Sequence, residues 1–240
     1  MDEPHPKRVI VKLSGERLSG RQAGSFSSFS SDSLRRTVGE LTTLHDAGYQ
    51  IAIVVGAGNL LRGGQSAVFT DRATADTAGM LATVMNALLL ADALTAAGHT
   101  ARAYSAVAMP SHVTPYRFRE VRQRLAAGEI AIVGGGTGAP FFTTDTAAAL
   151  RARELQASVI LKATQVDGVY SADPRTDPNA TRHDRLSYAE VLEQRFAVMD
   201  LAAFEICRGG KVEIRVFDGG AENHFLRALT EPGFATVITS

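Results

Sequence analysis

A chain of 240 residues is expected to fold as a single domain over residues 1–240, since single cores stop growing near roughly 250 residues. With 45% hydrophobic and 21% charged residues, the composition excludes wholesale disorder and fibrous repeats. Twenty-five Lys and Arg balance twenty-five Asp and Glu, so no basic field exists to hold a nucleic-acid backbone or an anionic membrane by charge alone, and any anion must be bound locally.

The first residues, MDEPHPKRV, carry acids and prolines where an export signal needs a basic start and an apolar run. Cys207 is the one cysteine, which fits a reducing compartment and a small buried hydrophobe, so a cytoplasmic location is expected. Short β-branched runs at 8–13, 50–55, 100–105, 129–133, 158–162, 213–217 and 236–239 alternate with helical stretches. Several of these runs are apolar without alternation, as strands covered on both faces should be. The fold class expected is therefore α/β, a mostly parallel sheet covered by helices.

Helices are expected at 32–47, 71–97, 115–127 and 144–156, the first three closed by Gly48, Gly98 and Gly128. Ser187 with Glu190 makes a capping box for a helix through about Arg195, and 201–207 adds another. The apolar run 77–91, fenced by Asp76 and Asp92, is shorter than the ~20 residues that cross a bilayer. It reads as a helix in the core or at a subunit interface, and a homo-oligomer is expected. Residues 25–33, with six serines in nine positions, are expected to form a mobile surface loop or hairpin.

Three glycine-rich turns each follow an expected strand: KLSGE from Lys12, GAGNLLRGG from Gly56 and GGGTGAPFFTTD from Gly134. At the carboxyl ends of strands in an α/β sheet such turns converge on one crevice. Glycine there lets the backbone approach a phosphate, and helix N-termini direct N–H groups at it. The pattern GxxxxGK[ST] is absent, because Val212 follows the only Gly-Lys pair, Gly210 and Lys211. GGGTGA matches a loose dinucleotide fingerprint, but it lies past mid-chain and Pro140, Phe141 and Phe142 separate it from its helix.

The blocks KLSGE, GNLLRGG, GMLATVMN, TGAPFFTTDTAAALR, LKATQVDGVYSADP, VMDLAAF and IRVF, in this order from Arg8 to the C-terminus, resemble the bacterial uridylate kinases of the amino acid kinase fold. The resemblance implies a three-layer αβα sandwich with an N-terminal acceptor-binding part and a C-terminal ATP-binding part. It also implies ATP- and Mg2+-dependent conversion of UMP to UDP in a cytoplasmic homohexamer. Carried over, Lys12, Leu13, Ser14, Gly15, Gly58 and Arg62 would line the ATP phosphates, and Thr164, Tyr170 and Asp173 would grip adenine and ribose. Ala57, Asp76, Thr137, Gly138, Ala139, Pro140, Phe141, Phe142, Thr143 and Thr144 would hold UMP, and Lys12, Arg62, Asp145 and Asp200 would surround the transferring group.

Joining two polyanions requires cancelling their repulsion, which Lys12 and Arg62 supply. The acceptor phosphate, with a second pKa near ~6, needs no general base. Asp145 and Asp200 then orient Lys12 or the magnesium shell. Magnesium bridging nucleotide phosphates needs no dedicated protein cage, so no metal-ligand set is expected. Each residue also has a plainer reading: Asp76, Asp145 and Asp200 as helix caps or first-turn charges, Phe141, Phe142 and Tyr170 as packing.

Ala57 replaces the middle one of three glycines usual in uridylate kinases, and Ala139 a residue such as asparagine, so uracil preference is less secure than kinase activity. Many relatives are activated by GTP through basic residues; the matching positions here are Ala91, Thr95 and Glu129, with only Arg102 basic, so little GTP activation is expected. The competing readings are a kinase of the same fold acting on a modified pyrimidine nucleotide or a carboxylate, and a non-catalytic nucleotide-binding protein.

Overall fold

The computed structural model describes residues 7–22, 25–27, 29–61, 70–196 and 198–240. In chain order, β1 (Arg8–Leu13) leads through a 3-10 turn (Gly15–Leu18) and a hairpin of β2 (Gly20–Gln22) and β3 (Ser25–Ser27) into α1 (Ser31–Asp46) and β4 (Gln50–Val55). Next come α2 (Arg72–Ala96), β5 (Ala101–Ser105), β6 (Thr114–Pro115), α3 (Phe118–Ala126), β7 (Ile130–Gly134) and α4 (Thr144–Leu155). The second half holds β8 (Val159–Thr164), β9 (Val169–Tyr170), β10 (Arg182–His183), β11 (Arg185–Ser187), α5 (Tyr188–Gln194), α6 (Leu201–Gly210), β12 (Glu213–Asp218), α7 (His224–Thr230) and β13 (Thr236–Thr239).

Nine of these strands form one sheet in the order β11-β13-β12-β8-β1-β4-β7-β5-β6. Its neighbours pair in parallel except β12 with β13. The two-residue period of a strand divides the core. Val9, Val11 and Leu13 of β1 pack with Leu41 of α1, Leu90 of α2 and Phe225 of α7, whereas Ile10 packs with Val121 of α3, Ala148 of α4 and Phe204 of α6. The result is the expected three-layer αβα sandwich. The same parity puts Lys12 on the α4 side of the sheet.

Gly48, Gly98 and Gly128 follow α1, α2 and α3 with φ of 86°, 90° and 87°, the left-handed conformation that ends a helix. α2 starts where the Asp71 side chain accepts from the Thr74 N–H at 2.7 Å. By length and composition α2 passes for a membrane span, with a mean hydropathy of 1.5 in its most apolar window, but 44% of that window is buried. It lies across β5 and β7. Cys207 is fully buried, and burial pushes its thiol up to about 12, consistent with the packing role expected of it.

Several boundaries differ from the sequence reading. Pro115 does not open α3: with Thr114 it pairs with the edge of β5, where its missing N–H costs no ladder bond. The serine-rich stretch divides, with Ser25–Ser27 pairing to Gly20–Gln22 and Ser30 capping α1. Residues 23, 24 and 28 lie outside the description. KLSGE leads into a 3-10 turn. The helix α7 and the small β9–β10 pair had no distinguishing sequence pattern, being short and without a residue run of one period.

Candidate active site

Three chain turns meet at the carboxyl ends of β1, β4 and β7. Gly15 makes the closest approach: a methyl there would lie 2.5 Å from Asn59 Oδ1 and 2.7 Å from both Gly56 O and Gly58 N. Leu13 contributes its carbonyl, which accepts from the Gly56 N–H at 2.8 Å, while its side chain is buried in the α1/α2 layer. Ala57 opens the second turn, its carbonyl accepting from Leu60 and Leu61 N–H groups at 2.8 and 2.9 Å. Asn86 of α2 anchors that turn from below, donating to Gly56 O and Asn59 Oδ1, both at 2.7 Å. Arg62, expected in the site, lies outside the described residues.

Over this floor sits a charge cluster. Lys12 and Lys162 stand side by side in register on β1 and β8. Asp145, in the first turn of α4, reaches both: Oδ1 is 3.0 Å from Lys12 Nζ and Oδ2 is 2.6 Å from Lys162 Nζ. Lys162 also donates to the Val198 carbonyl. Burial alone would raise the Asp145 carboxyl, but the two ammonium groups reverse that and hold it below the usual carboxylate range. Burial lowers the Lys162 ammonium, with Asp145 opposing and Lys12 reinforcing that shift.

Asp200 is the N-cap of α6, accepting from the Ala203 N–H at 2.9 Å, and it also ties α6 to α4. Its carboxylate accepts from Thr146 Oγ1 at 2.8 Å to both oxygens and from the Thr143 hydroxyl. Thr143 in turn caps α4, accepting from the Asp145 and Thr146 N–H groups at 3.0 and 3.3 Å. Thr143, Thr144, Asp145 and Asp200 are thus brought together at one helix N-terminus.

The loop 134–143 arches beside this end. Gly135 and Gly138 take φ of 80° and 87°. Gly135 sits so close to the chain at 106–107 that a methyl would meet Val107 N at 2.9 Å. The Thr137 hydroxyl and the Ala139 backbone bond each other at 3.0 and 3.2 Å, and Pro140 leads to Phe141, whose φ is 70°. The Phe141 N–H donates to Asp76 Oδ2 at 2.9 Å, and Asp76 also accepts from Arg72. Asp76 therefore joins the α2 start to this loop, where Phe141 and Phe142 remain 65% and 55% exposed, too exposed to be core packing.

Tyr170 and Asp173 line a hollow of about 460 Å³ with Val166, Phe196 and Val198. Val198 is also the residue bonded by Lys162, so this hollow adjoins the charge cluster. Tyr170 donates to Asp167 at 2.7 Å and Asp173 pairs with Arg175 at 2.8 Å. Thr164, at the end of β8, bonds the Val166 carbonyl at 2.6 Å and does not line the hollow. Three larger cavities, about 670, 760 and 720 Å³, are lined by none of Lys12, Asp145, Lys162 or Asp200. Ser14, half-buried, precedes the 3-10 turn and offers it no side-chain cap.

Sequence reasoning assigned no role to Lys162 or Thr146. A signal for Lys162 existed: Val9-Ile10-Val11-Lys12 and Val159-Ile160-Leu161-Lys162 are near copies, and two equivalent parallel strands place equivalent lysines together.

The amino acid kinase family model matches residues 7–218. A uridylate kinase of Nitrobacter hamburgensis is 45% identical over 241 residues, covering 100% of both chains. Among solved structures, a UMP kinase from Ureaplasma parvum superposes with a TM-score of 0.91 at 29% identity, covering 97% of this chain and 98% of that one. One from Bacillus anthracis gives 0.90 at 34% identity, covering 97% and 96%. The chain belongs to the amino acid kinase family and, within it, to the uridylate kinases.

Proposed function

We propose that the chain transfers the terminal phosphoryl group of ATP to UMP, giving UDP and ADP, in the cleft between the α4 N-terminus and the carboxyl ends of β1 and β8. The observation that carries this reading is the Lys12–Asp145–Lys162 cluster beside the capped start of α4. Two cations and one carboxylate leave one net positive charge where two polyanions must meet. Lys12 and Lys162 compensate the charge of the transferring group, and Asp145 fixes their ammonium groups in place.

An Asp145 held below the usual carboxylate range is a poor proton acceptor. The UMP phosphate, already mostly dianionic at neutral pH, requires none. The α4 N-terminus turns the positive end of its dipole toward that phosphate, with Thr144 beside it, while the Asp145 and Thr146 N–H groups stay with the Thr143 cap. Ala57, Asp76 and the arch from Thr137 to Phe142 hold UMP, while Ser14, Gly15 and Gly58 let the backbone approach the donor phosphates. The hollow at Tyr170 and Asp173 takes the adenosine end of ATP.

Both Asp145 oxygens face lysines and both Asp200 oxygens accept from Thr146. Such a donor set does not fit an ion caged by carboxylates and fits magnesium carried on the nucleotide phosphates, near which Asp200 would stand. Bound there, magnesium supplies neutralisation of phosphate charge. The working form is a cytoplasmic homo-oligomer, a hexamer by resemblance, and the apolar stripe on α2 supports self-association.

The test is UMP-dependent release of ADP with magnesium present and absent, with CMP, dUMP and acetylglutamate as competing acceptors. Turnover with UMP that needs magnesium is expected. Faster turnover with another acceptor would move the assignment to a sister kinase, and ATP binding without turnover of any acceptor would make the chain a nucleotide-binding protein.

A further inference from the structure

The opposite end of the sheet carries a cluster that phosphoryl transfer does not use. His45 and Asp46 close α1, His99 follows the end of α2, and Gly128 follows α3 before β7 begins. His45 Nε2 lies 3.1 Å from the Gly128 carbonyl oxygen. A carbonyl only accepts, so Nε2 carries the proton and the neutral ring leaves Nδ1 a bare lone pair. That lone pair faces Asp46 Oδ1 at 3.5 Å, and His99 Nε2 stands 3.0 Å from the same oxygen. Two electron-pair donors so placed repel unless positive charge lies between them.

His45 Nδ1 is shut from solvent and has no hydrogen-bond partner among the described residues. All three side chains bring a donor atom within 4.8 Å of one another. A tetrahedral ion with bonds of about 2.1 Å separates its ligand atoms by about 3.4 Å, close to the 3.0 and 3.5 Å found here. The bond from His45 to a main-chain carbonyl through its far nitrogen is the support a metal-ligating imidazole ordinarily has. The ends of α1, α2 and α3 converge on the cluster, and helix C-termini favour a cation.

We propose that His45, Asp46 and His99 bind a divalent transition-metal ion, with water in the fourth position, and that the ion ties the ends of α1 and α2 together. Two imidazoles and one carboxylate suit Zn2+ and its neighbours, where Mg2+ and Ca2+ prefer an all-oxygen shell. The ion would be remote from the phosphoryl-transfer cleft, at the other end of the strands, and structural.

The test titrates Zn2+ into untagged, chelator-treated full-length protein by calorimetry, with Co2+ as a spectroscopic probe. One ion per chain and the visible bands of tetrahedral Co2+ are expected. His45→Gln and His99→Gln should each weaken binding by at least ~10-fold, and Zn2+ should raise the thermal midpoint of the parent chain but of neither variant. His183→Gln, on β10, should bind as the parent does. Circular dichroism checks that the variants fold, and Asp46→Asn replaces any that does not. Absence of saturable binding overturns the proposal, as does Zn2+ affinity unchanged in the His45→Gln/His99→Gln double variant.

Discussion

Lys12 and Lys162 stand opposite one another on adjacent parallel strands, with Asp145 spanning their ammonium groups at 3.0 and 2.6 Å. Two like charges at this separation are held together by the carboxylate between them, and a phosphoryl group entering the cleft meets a preformed cationic pair. Reorganisation during reaction is then small, which is what makes such a pair effective.

Removing either lysine should therefore slow turnover with limited effect on the fold. Lys162→Met and Lys12→Ala are each expected to lower kcat by at least ~10²-fold, measured by coupled ADP release. Acceptor KM should change far less, because the proposed seat of the nucleoside is the arch joined to Asp76, away from these lysines. A Lys162→Met enzyme with near-parental kcat would remove that residue from the cleft.

Asp145 links the same cluster to acid stability. Its folded-state carboxyl lies below the ordinary range because of Lys12 and Lys162, against the opposing effect of burial. A depressed carboxyl contributes stability that is fully present above the unfolded carboxyl pKa, about 3.9, and is lost as pH falls through the folded value. Denaturant midpoints of the parent chain should fall over this acidic interval. Asp145→Asn should be less stable near neutral pH, having left two lysines without their partner, and its acid decline should be shallower. Parallel pH profiles for the two proteins would contradict this.

The layered fold was legible because its causes are local: unbroken apolar strands, glycines 48, 98 and 128 at helix ends, and the Ser187–Glu190 capping box, which forms as expected. Lys12 and Asp145 were legible by resemblance, yet their partner Lys162 was not, since what joins it to them is cross-strand register, a long-range property. Asp200 was likewise named by resemblance, but its bonds to Thr143 and Thr146, which join two helices, were not legible for that same long-range reason. Pro115 was misassigned because a proline suits both the start of a helix and an edge strand, and only the pairing with Ser105 decides between them.

Gly15 tests the convergence of the first two turns. Its added methyl would collide with Gly56 O and Gly58 N, main-chain atoms that cannot swing aside. Gly15→Ala is expected to cost roughly 1–3 kcal/mol of stability and to raise the KM for ATP more than that for UMP. Both are read by chemical denaturation and by steady-state kinetics. Unchanged ATP affinity in a stable variant would show that this approach does not shape the donor site.

Arg102 bears on regulation. Its guanidinium pairs at 3.3 Å with Glu129, which is only 4% exposed and also accepts from the Tyr104 hydroxyl. A buried carboxylate already engaged by Arg102 disfavours an incoming polyphosphate at this position, and Ala91 and Thr95 add no positive charge nearby. Addition of GTP should leave the initial rate essentially unchanged, and Glu129→Gln should not reduce activity. A several-fold rise in rate with micromolar GTP would refute the argument.

The outer face of α2 offers a test of assembly. Leu81, Met85 and Leu88 are 41%, 54% and 42% exposed and, at spacings of four and three, form one stripe along the helix. Three large apolar side chains left this open on a helix already buried on its other side favour pairing with the same surface of a second copy, which is how symmetric oligomers close. Met85→Asp should therefore lower the molar mass seen by light scattering to a smaller species, because a carboxylate facing its own symmetry mate repels across an apolar contact. Its circular dichroism should stay unchanged, since Met85 contributes little to the core of the subunit. A parent chain of monomeric mass, or a Met85→Asp variant of unaltered mass, would place the subunit contact elsewhere.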